Sequence, residues 1–532
     1  MSTQNLLEQI MNDPKPLPRK VPDYMRKRGG IWYWTGAMVM IVFFYEAVTG
    51  LILFLYYQPS NAYASTESLL GIPYGSIILT THLYGAYLMI ALVYLHLLRN
   101  LFVGAYKQPR QMQWLTGFAL LVLTVAVSYF GYSLTGDVLS SDATDVARGI
   151  AGGFPVIGKY LSLIFLGNGT SISLFTRFEG WHIILAGTIL ILFAVHFYLA
   201  EYNTIMPDPE KARYHVPAID REDSTYRPWY PNNLFYMTQI ALFTLALIFL
   251  IPSIVAIIPG VPALFSPFPQ VAASSPLAST VPPYPPWFLL FIYKELDFGI
   301  SATVGPFWAT VIFTGMPLVY LLLVPYVDRS DTLKPSRRPI MVGTGILGII
   351  YLIGLSAWGA LRPGVPVGNA VALLFFILPM ALVIPVVYYI SKAIESGKVK
   401  LRGAWKVFVL IAFDAFISVL DGMSIYSTLG DRTFFHSATT IFLSVILAVS
   451  LLVSFSMIYG IKGSDDIKPR SGRAYVAFGS IYGVMAISIL AIISVISPDN
   501  TFNQSLYGIG MGLIFLLGGA FTMLYRSYEF NE

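Results

Sequence analysis

The sequence predicts an all-α polytopic membrane protein of about twelve transmembrane helices, an N-terminal four-helix bundle followed by eight further spans. Three observations predict it. Of the 532 residues, 56% are hydrophobic and only 11% charged, a balance outside that of soluble domains. Apolar runs long enough to cross a hydrocarbon core of about 30 Å recur along the whole chain. Lysine and arginine gather in alternate connecting segments, as an inside-positive topology requires.

The runs lie at about 31–57, 76–104, 114–135, 178–202, 232–258, 300–326, 340–361, 367–391, 404–427, 434–461, 474–497 and 505–527. Helices are the default because the bilayer core offers no partner for a free N–H or C=O, and alternating barrel patterning is absent. The first 30 residues are polar and basic, without the short apolar core and small-residue cleavage site of a signal peptide. An even number of spans puts both termini on one side. The cytoplasm is that side, because 27 of the 33 basic residues fall in the N-terminal arm, in segments 99–110, 211–227, 329–338, 392–406 and 462–473, and at Arg526. The exceptions are Arg148, Lys159, Arg177, Lys294, Arg362 and Arg432. The formal net charge of +5 is therefore a topology signal and not a footprint for nucleic acid. The expected organisation in the cell membrane is a cytoplasmic arm (1–30), the bundle (31–203), a second part (204–395) and a four-span extension (396–532).

The second run contains "HLYGAYLMIALVYLH", from His82 to His96, and the fourth contains "HIILAGTILILFAVH", from His182 to His196. These are four of the chain's six histidines. Both runs lead inward, so the two helices are parallel. Fourteen residues at about 100° each fall about 40° short of four turns, which puts both histidines of a run on one face, about 21 Å apart along the axis. His82 and His182 then share an outer level, His96 and His196 an inner one. Two bis-histidine haems stacked across the bilayer suit this arrangement, each iron taking one imidazole from each helix. A lone intramembrane histidine is more simply a hydrogen-bonded packing residue, but that reading does not explain equal spacing on parallel helices. Zinc is a weaker rival, because there is no cysteine and no carboxylate near a matching pair to complete a four-ligand set. Gly36 and Gly50 in the first run, and Gly117 and Gly131 in the third, repeat the spacing at matching depths. Residues without Cβ would let a flat macrocycle approach there; close helix packing is the other reading.

Around the histidines, "VTGLILFLYYQPS", "GAYKQPRQMQWLTG", "GYSL", "FPVIG" and "LFTRFEGWH" resemble, in the same order, segments of cytochrome b of the quinol-oxidising bc complexes. Several are closest to the split version of chloroplasts and cyanobacteria. "YPNNLFY" and "SSPLAST" resemble the start of that version's second subunit, and "LVPYVDRS" followed by "RRP" resembles the family's cytoplasmic link after span six. The resemblance covers about 30–340 well and 340–395 loosely, and from 400 onward the spans resemble nothing nameable. It implies that His82, His96, His182 and His196 ligate two b-type haems, a modified a-type haem being the alternative, and that Arg99 pairs with propionates of the inner one. The family's arginine three residues before the first ligand is Leu79 here, so Arg177, on the outer side, is the expected substitute.

The resemblance also implies an outer quinol site built from the 283–295 segment, Tyr132 and the region after 136. The family's Pro-Glu-Trp-Tyr motif aligns with Pro285, Pro286, Trp287 and Phe288, so its proton-accepting glutamate is missing. Tyr293 and Tyr132 match family tyrosines, and Asp137 is what remains of a Pro-Trp-Asp-Gln segment. Asp137, Tyr284, Glu295 and Asp297 are the local candidates for proton release, with Glu295 favoured; a solvated cap of Lys294, Glu295 and Asp297 is the bland alternative. Near the inner surface Glu201 stands where the family often has histidine, and Glu46, Asp414 and Asp421 are further acids within spans.

With no cysteine the chain holds neither a covalently attached haem nor an iron–sulphur cluster. Electrons leaving the outer site therefore need a partner, and a Rieske-type iron–sulphur protein, with its high potential, is the natural one. The reading is a quinol oxidoreductase subunit working in a dimer or supercomplex. Its alternatives are a haem subunit associated with terminal oxidase subunits, with altered quinol chemistry, and a proton-coupled secondary transporter, for which internal repeats would be expected and none is evident. Between Pro228 and Tyr293 there is no Asp, Glu, Lys, Arg or His. So few titratable groups suit an acidic exterior and point to an archaeal, thermoacidophilic member.

Overall fold

The computed structural model describes residues 21–22, 30–72, 74–203, 226–227, 229–257, 269–397 and 472–529. Ten of their helices are long and apolar enough to cross a membrane. They correspond to the first eight and the last two of the expected runs. The ninth and tenth, with Asp414, Asp421 and His436, lie outside the described residues, as does His215.

The first half runs α1 (Thr35–Phe54), α2 (Ala62–Gly71), α3 (Gly75–Phe102), α4 (Gln111–Ser133), α5 (Val138–Gly152), α6 (Gly158–Leu166) and α7 (Ser171–Tyr202). After it come α8 (Leu234–Ile257), α9 (Leu290–Leu296), α10 (Gly299–Val304), α11 (Pro306–Thr310), α12 (Met316–Val327), α13 (Pro339–Leu361), α14 (Asn369–Glu395), α15 (Gly472–Ser494) and α16 (Thr501–Glu529). The described strand pairing is two residues long, Val21–Pro22 against Tyr226–Arg227.

Local chemistry explains where the boundaries depart from the apolar runs. α7 begins about two turns before its run because the Thr170 side chain caps it, accepting from Ser173 N. The run 300–326 is broken in two: Gly305 sits at φ +86°, and Pro306 then starts a new helix with no N–H to offer. A π-helical segment, Val311–Gly315, follows before α12.

α1 packs on α3 and α4 on α7, closing the four-helix bundle. Its core joins Val42 and Phe43 of α1 to Ile77, Met89 and Leu92 of α3, Val127 of α4 and Ile189 of α7, with Ile248 and Phe249 of α8 against the same cluster. The last span is no loose appendage. α16 lies along α8, so close that a Cβ at Gly512 would come within 2.5 Å of Leu250 Cγ. Arg526 donates to Gln239 Oε1 at 2.8 Å, and Ser76 of α3 donates to Gln504 Oε1 at 2.8 Å.

The two parts are also joined at the end of the bundle nearer His96. Lys107, after α3, reaches Asp328, after α12, at 3.0 Å, and Arg338 approaches the same carboxylate at 3.6 Å. Tyr106 donates to Asp328 Oδ2, and Arg338 donates to the Leu101, Phe102 and Leu333 carbonyls. The side chains of Lys107, Arg338 and Asp328 are all buried, so removing the shared anion strands two cations. Asp328→Ala is expected to cost about 3–5 kcal/mol, read as a lowered thermal unfolding midpoint in detergent; an unshifted midpoint would show that the cluster contributes no stability.

Candidate functional site

α3 and α7 bring the histidines together in the expected pairs. The ring centroids of His82 and His182 lie 6.3 Å apart with planes at 74°, and those of His96 and His196 lie 6.5 Å apart at 78°. Two imidazoles on one metal, each nitrogen about 2 Å from it and roughly 1.2 Å from its own ring centre, put the centroids about 6.3 Å apart. Among the described residues no group of three or more His, Cys, Asp or Glu gathers at one point. Each pair therefore offers two ligands, and whatever it holds must bring the others, as the planar macrocycle of a haem does.

The other ring nitrogen is engaged in every case. Nδ1 of His96, His82 and His196 lies 3.0, 2.9 and 3.0 Å from the hydroxyls of Thr35, Thr49 and Thr116. Nδ1 of His182 lies 2.9 Å from the Val127 carbonyl, which can only accept. Thr49 and Thr116 donate to carbonyls of their own helices at 2.8 and 3.0 Å, leaving a lone pair to accept from the ring. The proton then sits on Nδ1 and Nε2 is free to bind a metal. At His96 the Asn100 amide occupies that nitrogen at 3.0 Å and would have to turn aside.

The four glycines lie at the depths expected, but what they admit is the imidazole edge. A Cβ at Gly36, Gly50, Gly117 or Gly131 would lie 2.9, 3.2, 2.9 or 2.6 Å from Cε1 of His96, His82, His196 or His182. The threonines were missed, although the sequence carries their signal: Thr-Gly recurs at 35–36, 49–50 and 116–117. At 130–131 the pair is Phe-Gly, and a main-chain carbonyl, invisible in sequence, does the same task. One expectation is corrected. A carboxylate does lie near a pair: Glu46 Oε2 is 3.0 Å from His82 Nδ1.

Arg99 lies over the Tyr33 ring at 4.6 Å and donates to Asn100 Oδ1 at 2.7 Å, at the level of the inner pair. Arg177 is folded back along its own helix, donating to the Ser173 carbonyl at 3.2 Å and hydroxyl at 2.5 Å.

Between the two histidine levels, Trp287, Phe288 and Tyr293 join one cluster with Tyr87, Ile90 and Tyr94 of α3 and Val125 and Tyr129 of α4. Tyr129 also borders the cluster of Tyr132 with Val138, Leu139 and Ala143. The hydroxyls of Tyr129, Tyr132 and Tyr293 are buried without hydrogen bonds, that of Tyr129 pointing towards Ser133 and Thr144 without reaching bonding geometry. A buried hydroxyl left unpaired costs about 1–3 kcal/mol, and each of the three could donate to a polar guest. Burial pushes the Tyr293 hydroxyl far up, so it acts as a hydrogen-bond donor.

The acids divide. Both oxygens of Asp137 are taken: Oδ1 caps α5, accepting from Ser140 N at 2.8 Å, and Oδ2 accepts from Gln270 N at 2.8 Å, tying down the outer loop. Its place is structural, against the expectation that it accepts protons. Asp297 is held by Lys294 at 3.0 Å. The solvated-cap alternative fails for Lys294 and Glu295, which are 0% and 2% exposed. Lys294 donates to the Arg362 and Val365 carbonyls at 3.0 Å each, and Glu295 accepts from Thr314 of the π-helical segment at 2.6 Å. Burial raises the Glu295 carboxyl to about 8, with the Thr314 bond opposing. Trp287 and Tyr293 thus share one aromatic cluster, which meets that of Tyr132 at Tyr129, whereas Glu295, on the same helix as Tyr293, faces span six.

A family profile described as Cytochrome b(N-terminal)/b6/petB matches residues 87–273. A cytochrome b of Sulfolobus acidocaldarius is 34% identical across 99% of this chain and 97% of its own length. Cytochrome b6 of Heliobacterium mobile is 34% identical across 33% of this chain and 84% of its own. A solved chain described as Hyperthermophilic respiratory Complex III shares the fold, with TM-score 0.55 and 24% identity, covering 73% of this chain and 97% of that one. The Sulfolobus match runs through the region after 400 that resembled nothing nameable, and its archaeal source agrees with the affinity expected from the outer loop. On this similarity over nearly the whole length, the chain belongs to the cytochrome b family.

Proposed function

We propose that this cytochrome b oxidises membrane quinol at the outer aromatic pocket, passing one electron to a Rieske-type iron–sulphur partner and the other inward. The observation that carries the proposal is the set of unpartnered Tyr132 and Tyr293 hydroxyls near Trp287, against α3, which bears His82, and α4, whose Val127 carbonyl meets His182. Two b-type haems at His82/His182 and His96/His196 would supply the one-electron path from the outer to the inner level. Tyr132 and Tyr293 orient the quinol head, and Trp287 and Phe288 keep water from it. Asp137 holds the outer loop over the site. Arg99 stands ready for propionates at the inner level, and Arg177 takes the corresponding outer role once it turns from Ser173. With both termini in the cytoplasm, the pocket faces the outside, where a partner protein has access, and the subunit works within a larger respiratory assembly.

Quinol releases two protons, and Pro286 offers no group to take one. Glu295 takes one of them, and the partner's histidine the other. Near its value of about 8 a base is well matched to proton transfer at ordinary pH.

Three outcomes follow. A reduced-minus-oxidised spectrum with haem quantification is expected to give two haems per chain, His82→Ala losing the outer and sparing the inner; a purified protein with no Soret band contradicts the proposal. Tyr132→Phe with Tyr293→Phe is expected to slow quinol oxidation about tenfold, the worth of about 1.4 kcal/mol of lost hydrogen bonding, with haem content intact. An unchanged rate in the double variant would place the pocket elsewhere. Below pH 8 Glu295 keeps its proton and cannot accept another, so the rate should rise as pH passes through about 8. Glu295→Gln should remove that limb and lower turnover by about 10²-fold; an unaltered pH–rate profile would leave the partner's histidine as the main acceptor.

A further inference from the structure

We infer that Glu46 is a positioning residue for the outer histidine pair, holding the outer redox level below the inner one and so fixing the inward direction of electron flow. The inference rests on the reading of His82 as a haem ligand.

Glu46 lies within α1 and is 8% exposed, at a depth where a carboxyl is costly unless it has a task. Its Oε2 is 3.0 Å from His82 Nδ1, which Thr49 also meets at 2.9 Å. Among the described residues, none of the other three rings has a carboxylate there. His96 and His196 have a threonine hydroxyl at Nδ1, His196 the Gln113 main chain as well, and His182 has a carbonyl. The asymmetry is between levels, and it marks the outer one.

The carboxyl is admitted from both sides. Gly85 of α3, three residues beyond His82, faces it, and a Cβ there would overlap Glu46 Oε1. That oxygen is buried and has no hydrogen-bond partner. A glutamate serving only to join helices would be expected to bond at both oxygens; here the contact made is to the imidazole.

An acceptor at Nδ1 draws on the N–H and strengthens electron donation from Nε2. A stronger donor favours the oxidised, more positive metal, so the potential falls. A carboxylate beside Thr49 adds to that effect at one ring of four. Oε2 accepts whether or not the other oxygen carries a proton, so the role requires no titration. An electron arriving from quinol at the outer level then moves downhill to the inner one, and no further reagent is needed.

The test is a spectroelectrochemical titration of the full-length, haem-loaded chain and of Glu46→Gln and Glu46→Leu, the outer haem being assigned by its loss in His82→Ala. Gln keeps an oxygen acceptor and Leu does not, so the outer midpoint should rise in the order wild type, Gln, Leu, with the inner midpoint fixed. The Leu variant should change the one-electron equilibrium between the two haems about tenfold, about 59 mV. Gly85→Ala gives an independent route: its methyl displaces the carboxyl and should raise the outer midpoint with Glu46 still in the chain. An outer midpoint unmoved in both Glu46 variants, or both midpoints shifting together, overturns the inference while leaving the haem reading intact. A wild-type chain with no haem lost on His82→Ala overturns the haem reading and this inference with it.

Discussion

Both nitrogens of an imidazole need partners, and inside a bilayer water supplies neither. The architecture of the first four spans follows from meeting that need four times. Each ring projects from α3 or α7 and rests its edge on a glycine of the neighbouring helix, α1 or α4. The residue before that glycine supplies the acceptor for Nδ1 at three rings, and a carbonyl supplies it at the fourth. Fixing the tautomer in this way turns Nε2 towards its counterpart across the bundle, at a separation suited to one metal between two rings.

The same helices build the outer pocket. Tyr87 and Ile90 stand on α3 a turn or two below His82, and Val125 and Tyr129 flank Val127, whose carbonyl holds His182. A guest among Tyr129, Tyr132 and Tyr293 would therefore sit against the backbone that fixes an outer ring. Asp137 and the 270–272 segment close the pocket from above, which explains why an acid in so prominent a place has no free oxygen.

Much of this was legible in sequence because it is periodic. Histidines and glycines repeated every fourteen residues survive translation into helices without knowledge of packing. The apolar runs likewise fixed the described spans to within a few residues, except where Gly305 and Pro306 split one of them. What was not legible depended on partners distant in sequence. Glu46 meets His82 across two helices, and nothing in "FFYEAVTG" announces it. The sequence leaves Lys294, Glu295 and Asp297 open between a proton-accepting role for Glu295 and a solvated cap, whereas in the fold Lys294 is satisfied by carbonyls about seventy residues away and Glu295 by Thr314. Asp137 reads as a proton acceptor by residue type, whereas its position immediately before α5, three residues ahead of Ser140, makes it the cap of that helix. The α16–α8 contact is written in glycines whose facing surface only the fold reveals.

The central claim is that each histidine pair holds one metal between two nearly perpendicular rings, planes at 74° and 78°. Low-temperature electron paramagnetic resonance of the oxidised, haem-loaded protein tests it most directly, because perpendicular axial imidazoles give strongly anisotropic low-spin ferric signals. Two such signals, one lost in His82→Ala and the other in His96→Ala, are the predicted result. A high-spin ferric spectrum, or rhombic signals of the kind that parallel imidazoles give, would contradict the account.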